Sequence, residues 1–133
     1  MASSFSVSVV TPEEEIWTGR AELVIARSPE GEFGIMNAHV PFLAALVPGL
    51  VTVVSGGSRS SYIVPGGFLE ASGGQDDYHV IVLADDADEA GDIDAGEAKR
   101  RIAEAQRAKE EDVEQRAEAG MRAAMAGTQL GRN

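Results

Sequence analysis

The sequence predicts a mainly β protein with an added α segment: an N-terminal β-sandwich, or flattened barrel, followed by a C-terminal helical hairpin or one extended helix. Two observations predict this division. Short runs of alternating apolar and polar residues recur about every ten residues as far as Leu83, with turn residues between them. Every proline and every aromatic residue also lies before Ala84, whereas alanine and charged residues dominate the remainder.

The predicted strands follow from this alternation. Phe5, Val7 and Val9 alternate with serines, which is typical of a strand with one buried face. Pairs of glycines, and glycines next to proline, supply the breaks that end strands and reverse the chain. The predicted strands are 4–9, 16–19, 21–26, 50–54, 60–64, 68–71 and 78–83.

The stretch 28–43 interrupts the pattern. It contains two glycines and two prolines, and it places Glu32 and His39 seven residues apart among apolar neighbours. Glycine permits positive φ, and proline removes a hydrogen-bond donor from a strand ladder. We therefore expect the sheet to turn here, with a loop that shapes a surface around Glu32 and His39.

From residue 92 onward the apolar spacing becomes helical. Either Asp92 or Asp94 can cap the first turn by accepting its free N–H groups. Asp112 can cap a second helix, which would make a hairpin. The residues between the two candidate helices, 109–111, include neither glycine nor proline. One continuous helix is therefore the alternative to a hairpin. The apolar positions on the first helical face are Ala98, Ile102 and Ala105.

The helical part contains few large apolar side chains, and an alanine stripe gains little from burial at about 25 cal/mol per Å². We therefore expect it to be weakly docked. The predicted organisation is a β-sandwich at 1–86, an acidic linker at 87–91 and a helical segment at 92–133.

Composition excludes several classes of protein. The formal net charge of −11 argues against binding to nucleic acid or to an anionic membrane. The chain has no cysteine, so it has neither disulfides nor a thiolate nucleophile. The first residues lack the pattern of a secretory signal, and no apolar run is long enough to span a bilayer. These features predict a soluble, acidic, intracellular protein.

The sequence also lacks recognisable catalytic machinery. His39 and His79 are the only histidines, and neither belongs to a nucleophile motif. The acidic run 85–94 lacks the spacing of a calcium-binding loop, and no zinc-ligand spacing occurs. We therefore predict no catalytic residue, no metal site and no cofactor.

Several motifs in order resemble the ε subunit of F-type ATP synthases. The residues Glu-Gly-Glu-Phe-Gly-Ile at 30–35, followed by His39 and Pro41, match a pattern of that family. Gly-Gly-Phe-Leu-Glu at 66–70 and Val-Leu-Ala-Asp at 82–85 are similar to two further family elements. The resemblance covers most of the chain.

The resemblance implies a non-catalytic central-stalk subunit that couples proton-driven rotation to ATP synthesis. The sandwich would be a rotor-binding domain that contacts the γ subunit and the c-ring through Thr11, Glu32 and His39. The chain would lie at the cytoplasmic face of a bacterial plasma membrane as a peripheral protein, associated with the membrane only through the complex.

In this family the C-terminal helices can extend, make conformation-dependent contact with the α and β subunits, and restrain ATP hydrolysis through basic residues that meet an acidic segment of the β subunit. The residues that would serve here are Arg100, Arg101, Arg107, Arg116 and Arg122, with Lys99 and Lys109 nearby. These side chains alternate with acidic ones, so a solvated helix held by its own ion pairs is the alternative.

Some bacterial relatives bind ATP through a motif similar to Ile/Leu-Asp-x-x-Arg-Ala. Here Ile93 and Asp94 match its start, but Glu97 occupies the arginine position. A carboxylate beside phosphates replaces attraction by repulsion. The resemblance therefore implies weak or absent ATP binding near Asp94.

Two other functions fit the sequence less well. The first is a free-standing β-sandwich binding module with a helical tail, although Trp17 is the only tryptophan available for a ligand platform. The second is a small hydrolase built on His39 or His79, for which the sequence supplies no nucleophile signature.

Overall fold

The computed structural model describes residues 3–92 and 94–130, which form ten strands, one short 3-10 helix and one long α-helix. The strands are β1 (Phe5–Val10), β2 (Glu15–Ala21), β3 (Leu23–Ser28), β4 (Gly31–Ile35), β5 (Phe42–Leu46), β6 (Gly49–Ser55), β7 (Ser58–Val64), β8 (Gly67–Ser72), β9 (His79–Ala84) and β10 (Asp88–Glu89). The 3-10 helix covers Ala90–Asp92, and α1 covers Ala95–Leu130.

The strands form a sandwich of two five-stranded sheets. The first sheet has the order β2-β1-β9-β8-β5, and the second has the order β10-β7-β6-β3-β4. β1 and β9 pair in parallel, and all other neighbouring strands pair antiparallel. This architecture confirms the predicted β-sandwich.

The core lies between the sheets and is built by the predicted alternation. Phe5, Val7 and Val9 point inward from β1 and are almost completely buried. Phe5 packs edge-to-face on Tyr78, with 5.7 Å between the ring centroids. Burial raises the pKa of the Tyr78 hydroxyl above its ordinary value.

Two strands arise where the sequence predicted none. β4 and β5 lie on either side of the 36–41 connection: β4 is inside the stretch 28–43 that the sequence predicts to turn, and β5 begins at its end. Phe33 on β4 packs on Phe42 of β5 at 5.2 Å between ring centroids, and both rings close the sandwich edge between the two sheets. The glycines and prolines in this stretch indicate a turn, so the two strands could not be recognised from the sequence. β4 and β5 are edge strands, where such residues are tolerated because a break in the hydrogen-bond ladder costs little.

The predicted acidic linker contacts the sandwich. Asp88 and Glu89 form β10, which pairs with Ile63 and Tyr62 of β7. Burial, and secondarily the nearby Glu89 carboxylate, raise the pKa of the Tyr62 hydroxyl. The side chains of Asp88 and Glu89 are themselves exposed, so the stretch is acidic and solvated on its outer side.

The C-terminal segment is one helix of 36 residues, about 54 Å long, and not a hairpin. The N–H of Glu97 donates to Asp94 Oδ1 at 2.8 Å, which confirms the predicted cap. Asp112 caps no second helix, because it lies inside α1 and pairs with Arg116 one turn later. The good helix formers at 109–111 leave nothing to break the helix. Among the described residues, no helix has the length and apolarity needed to cross a membrane.

The sandwich should fold without α1. A chain that ends at Asp86 keeps the whole core, and we expect it to retain its β circular dichroism and a cooperative thermal transition. A chain that ends at Asp92 should melt a few degrees higher, because it keeps β10 and the partly buried Ala87. An unfolded 1–86 fragment would contradict the division of the chain into two parts.

Candidate functional site

Thr11 lies in the turn between β1 and β2 and is buried. Its Oγ1 donates to the Glu14 carbonyl at 3.2 Å and accepts the Glu14 N–H at 3.3 Å. The hydroxyl therefore holds the turn in shape, and neighbouring residues provide the exposed surface. Beside Thr11, a shallow depression of about 380 Å³ is lined by Pro12, Phe68 and Leu83 among others.

Glu32 is on the edge strand β4, and its side chain is exposed. In the ladder it lies opposite Arg27 of β3. No ion pair forms at its carboxylate within residues 3–92 and 94–130, so this negative charge is available to a partner. Its position also borders a groove that includes Ile102 and Gln106 of α1.

His39 belongs to the connection between β4 and β5 and is half-buried. Its ring packs edge-on against Phe42, with 5.8 Å between the ring centroids, and its Nδ1 lies 3.0 Å from the Val40 carbonyl oxygen. The preceding residue, Ala38, has φ 61°, a conformation that few non-glycine residues adopt. His39 therefore anchors this connection on the aromatic edge of the sandwich.

The structure separates Glu32 from His39 instead of bringing them together in one loop. Glu32 lies opposite Arg27 in the strand ladder, near one end of β4, whereas His39 comes after Ile35 at the other end of that strand. In the first sheet, β5 ends at the same end as β1, which Thr11 follows. The N–H of Val47, just after β5, donates to the carbonyl of Arg27 in the second sheet. Because Glu32 lies opposite Arg27, Thr11 and Glu32 share this end of the sandwich. His39 lies at the opposite end.

We call the end with Thr11 and Glu32 the acidic end. It is formed by the turns after β1, β3, β5 and β7 and by the end of β9. Apart from Arg27 of the sandwich and Lys109 of α1, the exposed charges described at this end are carboxylates, and this concentration would favour a basic partner. The exposed carboxylates at this end are Glu13, Glu14, Glu30, Glu32, Asp85 and Asp86.

A second surface was not predicted from the sequence. On the outer face of the first sheet, Ala45, Phe68, Leu83 and Val10 lie next to one another across four strands. Leu43, Phe68 and Leu83 are 70%, 54% and 51% exposed. We call this row, with Leu43, the apolar stripe. Exposed apolar residues that form a continuous patch mark interaction surfaces.

A sequence signal for the apolar stripe does exist. In β8 and β9 the residues at both phases of the alternation are apolar, as in the pairs Phe68-Leu69 and Val82-Leu83. A half-buried strand with a solvated outer face needs only one apolar phase. The second apolar phase therefore indicated a covered face.

The predicted basic residues on α1 have different environments. Arg101 pairs with Asp88 of the sandwich at 3.4 Å and with Glu97 at 3.1 Å. Arg116 and Arg122 pair with acidic residues one turn earlier in the helix. Arg100 and Arg107 are exposed and make no ion pair within the described part of the chain. Of the five arginines predicted to act on α1, Arg100 and Arg107 are therefore the two that have no acidic partner within the described residues.

The predicted nucleotide position is only partly visible, because Ile93 lies outside the described residues. Asp94 uses its carboxylate to cap α1, and Glu97, where the motif has arginine, pairs with Arg101. This arrangement offers no free cation at the motif position. Within the described residues, no group of His, Asp and Glu is placed to hold a metal ion.

Comparison with known proteins agrees with this geometry. Residues 4–90 match the family model described as ATP synthase, Delta/Epsilon chain, beta-sandwich domain. The ATP synthase epsilon chain of Myxococcus xanthus is 42% identical over 104 residues, covering 78% of this chain and 74% of the relative. The ATP synthase epsilon chain 1 of Methylococcus capsulatus is 46% identical over 109 residues, covering 79% and 75%.

The fold has a solved counterpart. A chain in the Euglena gracilis mitochondrial ATP synthase structure of OSCP, F1 and c-ring superposes with a TM-score of 0.63 at 23% identity, covering 76% of this chain and 62% of that one. At this identity the match supports the fold alone. The family match and the bacterial relatives carry the assignment, and this chain belongs to the family of ATP synthase epsilon chains.

Proposed function

We propose that this chain is the non-catalytic epsilon subunit of the central stalk of a membrane-associated rotary ATP synthase. It transmits rotation between ion flow through the c-ring and ATP synthesis in the catalytic head. The observation that carries the proposal is the pair of surfaces on one sandwich: an exposed apolar stripe and, beside it, an acidic end. A free-standing binding module is not favoured, because the relatives are subunits of a larger enzyme.

The apolar stripe is suited to a permanent protein partner. Leu43, Phe68 and Leu83 would lose their water-exposed area on docking, which is a driving force that does not depend on charge. We assign the γ subunit to this surface. The part of the acidic end that α1 leaves open would then face the c-ring, with Glu32 as an exposed carboxylate at its edge, beside the groove to α1.

His39 has an indirect role in this proposal. It packs on Phe42 and hydrogen-bonds within its own connection, so it would support the shape of the rotor surface at the end opposite Glu32. Thr11 would act similarly, by holding the turn that borders the apolar stripe.

The helix supplies the regulatory part of the proposal. Beyond Ala105 the side chains of α1 are exposed as far as Ala124, and Val113 and Met121 are exposed apolar residues on that length. Such a helix can reach the α and β subunits and restrain ATP hydrolysis, with Arg100 and Arg107 as the charges that lack local partners. The complex would lie at the cytoplasmic face of the plasma membrane.

The direct test of this function is depletion and restoration. ATP synthase from the cell that makes this chain is stripped of it, and ATP-driven proton pumping into vesicles is recorded before and after the purified chain is added. We expect pumping per ATP hydrolysed to fall on removal and to recover on addition. Coupling that is the same with and without the chain would contradict the proposal.

Reversal of the Glu32 charge should weaken coupling. Glu32→Arg places a cation where the acidic end faces the c-ring, so attraction becomes repulsion, while the exposed edge position tolerates the new side chain. We expect lower proton pumping at an unchanged melting temperature. Glu22→Arg is the control at the opposite end of the sandwich, where the Glu22 carboxylate accepts the Gly56 N–H. If the two variants pump equally well, Glu32 does not face the rotor.

ATP should bind the isolated chain weakly or not at all. The carboxylates of Asp94 and Glu97 occupy the motif, and they repel phosphates. Calorimetric titration with millimolar ATP should give no saturable heat. A Glu97→Arg variant, which restores the motif, is the comparison. A dissociation constant in the low micromolar range for the unmodified chain would show this prediction to be wrong.

A further inference from the structure

Helix α1 is attached to the sandwich over a short length only. Arg101, Ile102 and Ala105 are half-buried, whereas the side chains from Gln106 to Ala124 are exposed. A groove of about 740 Å³ separates this length from the turns after β3 and β5. The helix therefore depends on a few specific contacts to hold its angle to the sandwich.

Within the described part of the chain, two polar side-chain contacts join α1 to the sandwich, and they are two helical turns apart. The first is the ion pair between Arg101 and Asp88 at 3.4 Å. The second is formed by Lys109, whose Nζ donates to the Leu46 carbonyl oxygen at 3.4 Å. Eight residues span about 12 Å along a helix, so these contacts together fix a direction, whereas one alone would leave a pivot.

The Lys109 contact depends on a space that only glycine leaves. A Cβ at Gly66 would lie 2.7 Å from Lys109 Nζ, 3.2 Å from Asp85 Oδ2 and 3.5 Å from the Leu46 carbonyl oxygen. The missing side chain makes a notch in the turn between β7 and β8. A carbonyl and a carboxylate border the notch, and both attract an ammonium group.

We propose that Lys109 is a positioning residue that latches α1 to the sandwich by inserting its ammonium group into the notch beside Gly66. When the latch opens, the helix pivots about Arg101 and its exposed half is free to change partners. The claim that this opening regulates ATP hydrolysis rests on the function proposed above. The latch itself is a property of the isolated chain.

The chain offers a clean comparison, because Lys99 and Lys109 are its only lysines and it has no cysteine. Lys99 is exposed on the same helix and makes no ion pair or side-chain hydrogen bond in the described part of the chain. Lys109→Met keeps the length and helix propensity of the side chain and removes the charge and the donor. Lys99→Met is its matched control.

Spin labels on Arg59→Cys in β7 and Ala117→Cys in α1 report the angle of the helix, and pulsed dipolar spectroscopy gives the distance distribution between them. We expect one main distance in the unmodified background and in Lys99→Met. Lys109→Met should raise the population at other distances by about three- to tenfold, the range for a partly exposed charge-assisted hydrogen bond. Gly66→Ala should do the same, because it fills the notch, and its melting temperature is recorded as well because the φ of +157° at Gly66 is unfavourable for alanine. High salt should broaden the unmodified distribution.

If Lys109→Met and Lys99→Met give the same distance distribution, whether narrow or broadened in both, the latch is overturned. ATP hydrolysis by complexes rebuilt with each variant is measured separately. If Lys109→Met frees the helix and hydrolysis does not change, the latch stands and the proposed regulatory function of α1 is wrong.

Discussion

Gly67→Ala should destabilise the sandwich by about 3 kcal/mol or more, the range for changes that force a packed backbone apart. Gly67 is opposite Ala84 where β8 pairs with β9, and its φ of +141° is unfavourable for any residue with a side chain. A Cβ there would overlap the Leu83 carbonyl oxygen and lie 2.9 Å from Ala84 Cα. Because both obstacles are backbone atoms, no change of rotamer relieves them.

Urea unfolding followed by the fluorescence of Trp17 measures this effect. Gly120→Ala is the control, since nothing lies within 4 Å of its added Cβ and the helix gains propensity. We expect Gly67→Ala to unfold at a much lower urea concentration and Gly120→Ala to leave the sandwich transition in place. Equal urea midpoints for Gly67→Ala and the unmodified chain would show that the backbones of β8 and β9 leave room for a Cβ at position 67.

Phe68→Glu should weaken binding to the γ subunit at least thirtyfold, about 2 kcal/mol, which is the size of an interface hot spot. Phe68 is at the centre of the apolar stripe, between Ala45 and Leu83. A carboxylate there would have to lose its water on docking without gaining a partner. The isolated chain should stay folded, because more than half of the Phe68 side chain is already in water.

Met36→Glu is the control, as it makes the same change at an exposed apolar residue in the connection after β4, outside the apolar stripe. Titration of γ with each variant by surface plasmon resonance gives the affinities. Equal loss in both variants, or none in Phe68→Glu, would remove the apolar stripe from the interface.

Much of the fold could be predicted from the apolar pattern and the turn residues. β1 was predictable because one phase of the strand is apolar, and β6 and β9 because each is a short run rich in β-branched apolar residues with turn residues beside it. β4 and β5 could not be predicted, because Gly31, Gly34 and Pro41 carry local signals for a turn while the pairing that makes them strands comes from β3 and β8. Tertiary pairing overrode local preference there.

The helix shows a second limit of the sequence. A hairpin and a single helix have the same local propensities around 109–111, and the difference between them lies in what each docks against. The candidate site shows a third limit. Glu32 and His39 are close in sequence, yet a strand separates them in space, whereas Phe68 and Leu83 are distant in sequence and adjacent in register.

We expect the apolar stripe of this chain to lie against the γ subunit of an ATP synthase. A photo-crosslinking amino acid at position 68 tests this placement in intact membranes, with the same group at position 50 as the control. Light should join the chain to γ from position 68 and not from position 50, with the product identified by mass spectrometry of the purified complex. A chain that does not purify with the ATP synthase, or that crosslinks to γ from position 50 alone, would contradict this placement.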